Sequence, residues 1–194
     1  MIQDLSSFVL TVPEALDEKI CDALIEWHIN DASDTTMVKT VVADRDTRRD
    51  IQKWLPEDHR LWGSIQLVKK NLYGQYSKKF PSVYRGAKSI VMPETKIQCT
   101  EPFGGGFHNF HAEVSHWENC ARALVWVIYL NDTEPGEGET EFLYQNIKSQ
   151  PQKGKAVIWP AAWMFQHRGN PVHAQNKYIA TGWCWYPEEK GYYG

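Results

Sequence analysis

The strongest constraint on the fold of this chain is a change in its hydrophobic pattern at about residue 88. Before that point, apolar residues recur at the spacing of amphipathic helices. After it, short runs rich in Ile, Val, Trp and Tyr alternate with Gly, Pro and Asn, and no run has the length and period of a helix. Helices followed by many short strands are typical of an α+β domain that is mainly β, with a sandwich or a barrel as its β part.

Two helices are predicted in the first half of the chain. The first occupies "VPEALDEKICDALIEWHIN", where Pro13 and Glu14 suit the first turn. The second occupies "PEDHRLWGSIQLVKKNLYGQYSKKF" and places on one face Leu61, Ile65, Val68, Leu72 and Tyr76. We therefore expect one domain over residues 1–194, with a helical support region at 1–87 and a β core at 88–187.

Composition and charge exclude several classes of function. The chain has 194 residues and a net charge of −3, with a pI near 6.2, so neither nucleic acid nor a membrane surface is an expected partner. The apolar runs "ALVWVIYL" and "AVIWPAAWMF" are too short to span a bilayer. The N-terminus has no basic region typical of a signal peptide. The four cysteines are widely spaced, which predicts reduced thiols and a cytoplasmic location.

The stretch "FHNFHAEVSHW", residues 107–117, contains the first candidate metal ligands. In a strand, residues two apart project from the same face, so His111 and Glu113 would point the same way. An imidazole and a carboxylate supply two of the three ligands of a 2-His-1-carboxylate iron site, which leaves three metal positions open. A hydrogen-bonded His–Glu pair at a strand end is the other interpretation, and the pair alone does not decide between them.

A third ligand has to come from far along the chain. His167 lies 54 residues after Glu113 (167 − 113) and follows the apolar run "AVIWP". Ten residues later comes Lys177, in a run of mostly apolar and small residues. A cation is costly to bury there unless an anion pairs with it, whereas a lysine on the solvent face also fits the pattern.

The order of elements from about residue 95 to 186 resembles that of the Fe(II)- and 2-oxoglutarate-dependent dioxygenases, in particular the prolyl 4-hydroxylase branch. The matching elements are "FGGGFHNFHAE", "VIYLND", "GEGETEF", "GKAVIWP", "HRGNPV", Lys177 and Trp183. The resemblance covers about half the chain. It implies a double-stranded β-helix, which is a cupin-like jelly roll, with the N-terminal helices packed on one sheet.

The same resemblance implies that His111, Glu113 and His167 bind Fe(II), with 2-oxoglutarate and O₂ as cosubstrates and ascorbate as a stimulant. Most relatives carry aspartate where this chain carries Glu113. Glutamate is one methylene longer and should still bind iron, although the metal is expected to be slightly displaced. Since halogenating relatives have a small residue at this position, the carboxylate favours oxygen insertion.

Further residues receive roles from the resemblance. Lys177 is implied to pair with the far carboxylate of 2-oxoglutarate, with Tyr129 and Thr181 in the same pocket. Trp183 and Arg85 are expected to contact substrate. Plain core packing is the other interpretation of Trp183.

The remaining histidines and one basic loop receive weaker expectations. His108 and His116 have the wrong spacing for the motif, and His173 lies in a predicted turn. Residues 77–94 form a basic segment broken by Pro and Gly, and both a mobile lid and a solvated surface loop are consistent with it.

The leading functional hypothesis is hydroxylation of a C–H bond, on a prolyl residue of a peptide or protein, with succinate and CO₂ as coproducts. One alternative is an oxygenase of the same mechanism that acts on a free amino acid, a nucleobase or another small molecule. A second is a non-catalytic jelly-roll binding protein, which turnover of 2-oxoglutarate to succinate would exclude.

Overall fold

The computed structural model describes residues 8–30, 48–85 and 90–187. Its helices are α1 (Glu18–Asn30), α2 (Trp62–Lys79) and the short α3 (Ser82–Arg85). The first five strands are β1 (Leu10–Val12), β2 (Arg48–Trp54), β3 (Lys96–Thr100), β4 (Gly106–Phe107) and β5 (Arg122–Tyr129). The remaining strands are β6 (Thr140–Phe142), β7 (Ile147–Ser149), β8 (Ala156–Pro160), β9 (His167–Gly169) and β10 (Lys177–Trp185).

The strands form two antiparallel sheets. The large sheet has the order β1-β8-β5-β10-β3-β2-β4, and the small sheet has the order β7-β6-β9. Val125, Val127 and Trp159 of the large sheet share one buried cluster with Phe142 of the small sheet, so the two sheets pack face to face. This arrangement confirms the mainly β jelly roll predicted from the sequence.

The N-terminal helices cover the outer face of the large sheet, as predicted. The apolar face of α2, which includes Ile65 and Leu72, packs in one cluster with Ile97, Trp126 and Ile158 of the sheet. Strand β10 connects the two sides of the sheet because its residues alternate. Ala180 and Cys184 face the helices, whereas Ile179 and Trp183 point into the space between the sheets.

Helix α1 begins later than the sequence analysis placed it. Pro13 and Glu14 lie in a turn where Glu14 has a φ of 51°, and the helix starts at Glu18. The carboxylate of Asp17 accepts a hydrogen bond from the backbone N–H of Lys19 at 2.8 Å, which is the capping interaction of a helix N-terminus. Asp17 therefore marks the start of α1, and Pro13 belongs to the preceding turn.

The N-terminal half is less purely helical than predicted. Strand β1 pairs with β8 at one edge of the large sheet, and β2 pairs with both β3 and β4 near the other. The N-terminal half thus contributes β1, which is one edge strand of the sheet, and β2, which lies next to the other edge strand β4. Among the described residues, no helix combines the length and the hydrophobicity required to cross a membrane.

Candidate functional site

Three side chains converge at one end of the space between the sheets. Nε2 of His111 and Nε2 of His167 each lie 3.5 Å from Oε1 of Glu113. One ligand atom from each residue lies within 4.8 Å of the others, which is close enough for all three to coordinate one ion. The three residues that the sequence analysis singled out as candidate metal ligands therefore lie together in the fold.

Backbone hydrogen bonds align the two histidines. His111 N donates to His167 O at 3.0 Å, and His167 N donates to His111 O at 2.9 Å. On the side-chain level, Nδ1 of His111 lies 3.0 Å from the carbonyl oxygen of Asn109, and Nδ1 of His167 lies 3.0 Å from that of Phe165. Because a carbonyl oxygen only accepts, each Nδ1 donates to its carbonyl oxygen, and this bond turns each Nε2 toward the site.

The H-x-E segment does not form the regular strand that the sequence analysis assumed. His111 makes an isolated bridge to His167, and the chain bends at Glu113. Val114 N then donates to the carbonyl oxygen of Ala161 at 3.1 Å, which directs the chain away from the small sheet. The carboxylate of Glu113 nevertheless returns to the histidines.

The pKa shifts of Glu113 and His111 suit a divalent cation. Burial opposes ionisation of Glu113, but the neighbouring imidazoles of His111 and His167 outweigh it and hold the pKa of the carboxyl well below its usual range. Burial lowers the pKa of His111, although Glu113 opposes that shift. An ionised carboxylate and a neutral imidazole are the forms of these side chains that bind a metal ion.

Lys177 lies in the same pocket as the triad. It is the first residue of β10 and only 5% exposed, and burial lowers its pKa to about 8. Its Nζ lies 5.7 Å from the ring centre of Tyr129. Among residues 8–30, 48–85 and 90–187, no carboxylate side chain forms an ion pair with this ammonium. The pocket therefore presents a buried cation to whatever enters it.

The family assignment follows from the sequence of this β core. Residues 96–185 match the model of the 2OG-Fe(II) oxygenase superfamily. The chain contains a 2OG-Fe(II) oxygenase domain. The cofactors of this family are Fe(II), 2-oxoglutarate and O₂, and the donor set of two imidazoles and one carboxylate fits iron. No match was found among curated proteins.

Solved structures of similar fold include prolyl hydroxylases. A viral collagen prolyl hydroxylase from Paramecium Bursaria Chlorella virus-1, in its 2-oxoglutarate complex, has 18% identity and a TM-score of 0.71 over 93% of this chain and 97% of that one. A prolyl-4-hydroxylase from Pseudomonas putida has 17% identity and a TM-score of 0.72 over 95% and 96% of the two chains. A Trichoplax adhaerens prolyl hydroxylase has 14% identity and a TM-score of 0.69 over 94% and 87%. These likenesses confirm the jelly-roll fold.

Thr181 and Tyr129, which were both expected to contact the cosubstrate, occupy different positions relative to the pocket. Thr181 lines the pocket with Lys177, and its hydroxyl donates to the carbonyl oxygen of Trp126 at 2.8 Å. Tyr129 is fully buried, and its hydroxyl lies 2.8 Å from Thr140 Oγ1 and 3.1 Å from the carbonyl oxygen of Ser149. Thr140 lines the pocket and Tyr129 lies behind it. The sequence analysis did not single out Thr140, although the "GET" element contains it.

Trp183, which the sequence analysis expected to contact substrate, contacts the candidate metal ligand Glu113. Its Nε1 donates to Oε2 of Glu113 at 2.8 Å. Arg122, which the sequence analysis did not single out, places Nη1 3.3 Å from the same oxygen. Arg122 opens the apolar run of β5 and had no motif to mark it.

A polar wall of the pocket was also missed. It is formed by Asp50 of β2 together with Lys96, Gln98 and Thr100 of β3. The run "KIQCT" alternates polar with apolar residues, and in a sheet covered on both faces this alternation marks a polar interior. The signal was present, but a polar face on a strand is normally read as solvent-exposed.

The other histidines lie apart from the triad. Nδ1 of His108 lies 2.7 Å from the carbonyl oxygen of Gly169, whereas His116 and His173 are exposed on loops. The side chain of Arg85 and residues 86–89 of the predicted lid lie outside the described residues.

Proposed function

We propose that this protein is an Fe(II)- and 2-oxoglutarate-dependent dioxygenase that hydroxylates a C–H bond of a prolyl residue in a peptide or protein. The observation that carries the proposal is one pocket lined by His111, Glu113, His167 and the buried Lys177. The first three are ligands for iron, and the fourth is a cation for the far carboxylate of 2-oxoglutarate. A buried ammonium–carboxylate bond is among the stronger polar contacts in proteins.

Each residue of the pocket has a separate task in this proposal. Bound iron supplies the oxidation chemistry with 2-oxoglutarate and O₂, and succinate and CO₂ are the coproducts. Lys177 orients the cosubstrate, with Thr181 and Thr140 beside it and Tyr129 supporting Thr140 from behind. Val125, Val127 and Trp159 form the apolar walls that exclude water from the iron.

Exposed aromatic residues near the ligands support a polypeptide substrate. Trp117 follows Glu113 by four residues and is 86% exposed, and Trp163 precedes His167 by four residues and is 66% exposed. Large exposed aromatic side chains are enriched where proteins contact other chains. The Trichoplax neighbour was solved with a peptide fragment of hypoxia inducible factor, which agrees with this substrate class.

The polar wall supports a second candidate substrate. Asp50, Lys96 and Gln98 line the metal pocket, and all three are buried. Polar groups inside a pocket suit a small polar substrate, so a free amino acid is the alternative to a prolyl peptide. Intact iron ligands beside Lys177 argue against a non-catalytic binding protein.

We also propose that the described residues act as one domain, that ascorbate stimulates turnover, and that the protein works in the cytoplasm. The last proposal is supported by the cysteines, since Cys21, Cys99, Cys120 and Cys184 are all free thiols.

Turnover assays test the function directly. Purified protein is incubated with Fe(II), 2-oxoglutarate, ascorbate and either a proline-rich peptide library or the free amino acids. We expect succinate formation together with a mass gain of one oxygen on a prolyl peptide. A mass gain on a free amino acid alone would select the second candidate, and the absence of succinate with every substrate would refute the oxygenase proposal.

The metal ligands are tested in the same assay. His111→Ala, Glu113→Ala and His167→Ala should each abolish succinate formation, because each removes one of three ligands. His116→Ala is the control, since this histidine is exposed and lies outside the triad. Parent-like succinate formation by any of the three ligand variants would contradict the assignment.

A further inference from the structure

The two carboxylate oxygens of Glu113 have different surroundings. Oε1 lies 3.5 Å from Nε2 of His111 and from Nε2 of His167. Oε2 accepts hydrogen bonds from Nε1 of Trp183 at 2.8 Å and from Nη1 of Arg122 at 3.3 Å. One oxygen therefore faces the histidines, while donors from the large sheet occupy the other.

Arg122 is itself fixed in place. Its guanidinium carbon lies 3.7 Å from the ring centre of Trp183 and 5.0 Å from that of Trp185. The same Nη1 that reaches the carboxylate also lies 3.2 Å from the backbone carbonyl oxygen of Glu113. A planar guanidinium stacked on indole rings loses little freedom when it donates, so it holds both ends of the glutamate at low entropic cost.

Trp183 differs from the other tryptophans around the site. The buried indole nitrogens of Trp126, Trp159 and Trp185 have no hydrogen-bond partner within the described part of the chain. The indole nitrogen of Trp183 instead donates to Glu113 Oε2. Its ring lies against Arg122 and its N–H donates to the carboxylate, so Trp183 contacts a candidate metal ligand and is not only a core residue.

We propose that Arg122 and Trp183 are positioning residues that hold Glu113 as a one-oxygen metal ligand. Glutamate has one more rotatable bond than aspartate, and an unrestrained carboxylate can bind a metal through both oxygens. With Oε2 engaged, only Oε1 is presented with the two histidines, and three metal positions stay open for the cosubstrates. The inference rests on the proposed metal site.

The first test is Co(II) titration of the metal-free protein, without 2-oxoglutarate or substrate. Trp183→Phe keeps an aromatic ring and removes the donor, and we expect Co(II) to bind about 10-fold more weakly or worse, as is typical when a partner of a metal ligand is lost. Trp185→Phe is the matched control because its ring also packs on Arg122 and its N–H has no partner among the described residues. Its Co(II) affinity should stay within about 2-fold of the parent, which is well below the effect of losing a ligand's partner.

The second test repeats Trp183→Phe in a Glu113→Asp background. Aspartate is shorter by one C–C bond, about 1.5 Å, so its outer oxygen no longer reaches the indole. We expect Trp183→Phe to change Co(II) affinity less than about 2-fold in this background, because only coupled residues show interaction energies in such a cycle. An equal loss in both backgrounds would show that the indole acts through general packing, and the proposal would be wrong.

Arg122→Met provides an independent variant, since it removes the donor and keeps an unbranched apolar stem. It should weaken Co(II) binding in the same direction, and it carries the test if Trp183→Phe fails to fold. Thermal unfolding of each metal-free variant monitors folding. Parent-like Co(II) affinity in both Trp183→Phe and Arg122→Met would overturn the proposal. Failure of the parent to bind Co(II) would instead overturn the metal site on which it rests.

Discussion

Two buried lysines lie on opposite sides of the large sheet. Lys69 is on α2 at the outer face and is 1% exposed, whereas Lys177 is on β10 in the pocket and is 5% exposed. Burial lowers the pKa of each to about 8. By burial and by pKa the two residues are nearly identical.

Their hydrogen bonds are different. Nζ of Lys69 donates to the carbonyl oxygens of Met92 at 2.8 Å and Glu94 at 3.1 Å, and lies 3.3 Å from Thr95 Oγ1. Lys177 has no such acceptor among the described residues. All three donors of Lys69 are used to join helix α2 to the segment that leads into β3, whereas those of Lys177 are available to a ligand.

The comparison shows that a perturbed pKa alone does not identify a functional lysine. Burial lowers the pKa of a lysine whether the residue has a structural role or binds a ligand. The hydrogen-bond acceptors around the ammonium distinguish the two cases. Loss of Lys69 should therefore affect folding and spare the cosubstrate. Loss of Lys177 should weaken cosubstrate binding and spare folding.

The largest effect is expected for Lys177→Ala. Truncation leaves the far carboxylate of 2-oxoglutarate without its cation, which by analogy with a broken charged hydrogen bond costs about 2–4 kcal/mol, or roughly 30- to 1000-fold in affinity. Iron should still bind, and Lys177→Arg should be milder because the charge survives. Anaerobic titration of the Fe(II) protein with 2-oxoglutarate measures the affinity through the metal-to-ligand absorbance band. Unchanged affinity in Lys177→Ala would mean that Lys177 does not bind the cosubstrate.

A smaller effect, on stability, is expected for Lys69→Met. The methionine keeps most of the side-chain volume but leaves the carbonyl oxygens of Met92 and Glu94 without their donor, at a cost of about 1–3 kcal/mol in the free energy of unfolding. Urea unfolding measures this cost, and 2-oxoglutarate affinity should not change. Lys70→Met is the matched control, because Lys70 is the exposed neighbour on the same helix. If Lys177→Ala destabilises the metal-free protein as much as Lys69→Met, the comparison between the two lysines fails.

The smallest effect is a pH dependence of cosubstrate binding. In the free protein Lys177 has a pKa of about 8, and a bound carboxylate favours its protonated form. Above pH 8 binding therefore requires uptake of a proton, so the Kd for 2-oxoglutarate should rise about 10-fold per pH unit until the raised pKa of the complex is reached. Below pH 8 the lysine is already charged and the Kd should stay level. Titrations between about pH 6.5 and 9.5 measure the profile, which Lys177→Arg should flatten because its guanidinium stays charged throughout. A level profile in the parent would contradict the lysine's role.

Sequence patterns predicted the fold because both periods were strong. The apolar face of α2 is buried at every predicted position, and the helix–strand boundary near residue 88 follows from the change in period. The strands that the N-terminal half adds to the large sheet were harder to predict. Strands β1 and β2 join it through backbone pairing across long sequence separations, which no local pattern encodes.

The site was predicted in part for similar reasons. His111, Glu113, His167 and Lys177 occupy motif positions, and all four line one pocket. Arg122 was missed because its contact with Glu113 depends on the bend after His111, and a bend is not visible in residue spacing. Tyr129 lies on the predicted strand, but its hydroxyl contacts Thr140 because the small sheet approaches it from the other side.

The reciprocal backbone bonds between His111 and His167 tie together two segments that are 56 residues apart (167 − 111). They close a long loop through backbone hydrogen bonds, so the entropy of bringing the two histidines together is lost during folding and not during metal binding. In small domains whose metal supplies the folding free energy, chelation causes unfolding. Here the emptied site should keep its shape and accept a new ion. The amide protons of both histidines should therefore exchange slowly with solvent after chelation as well as before it.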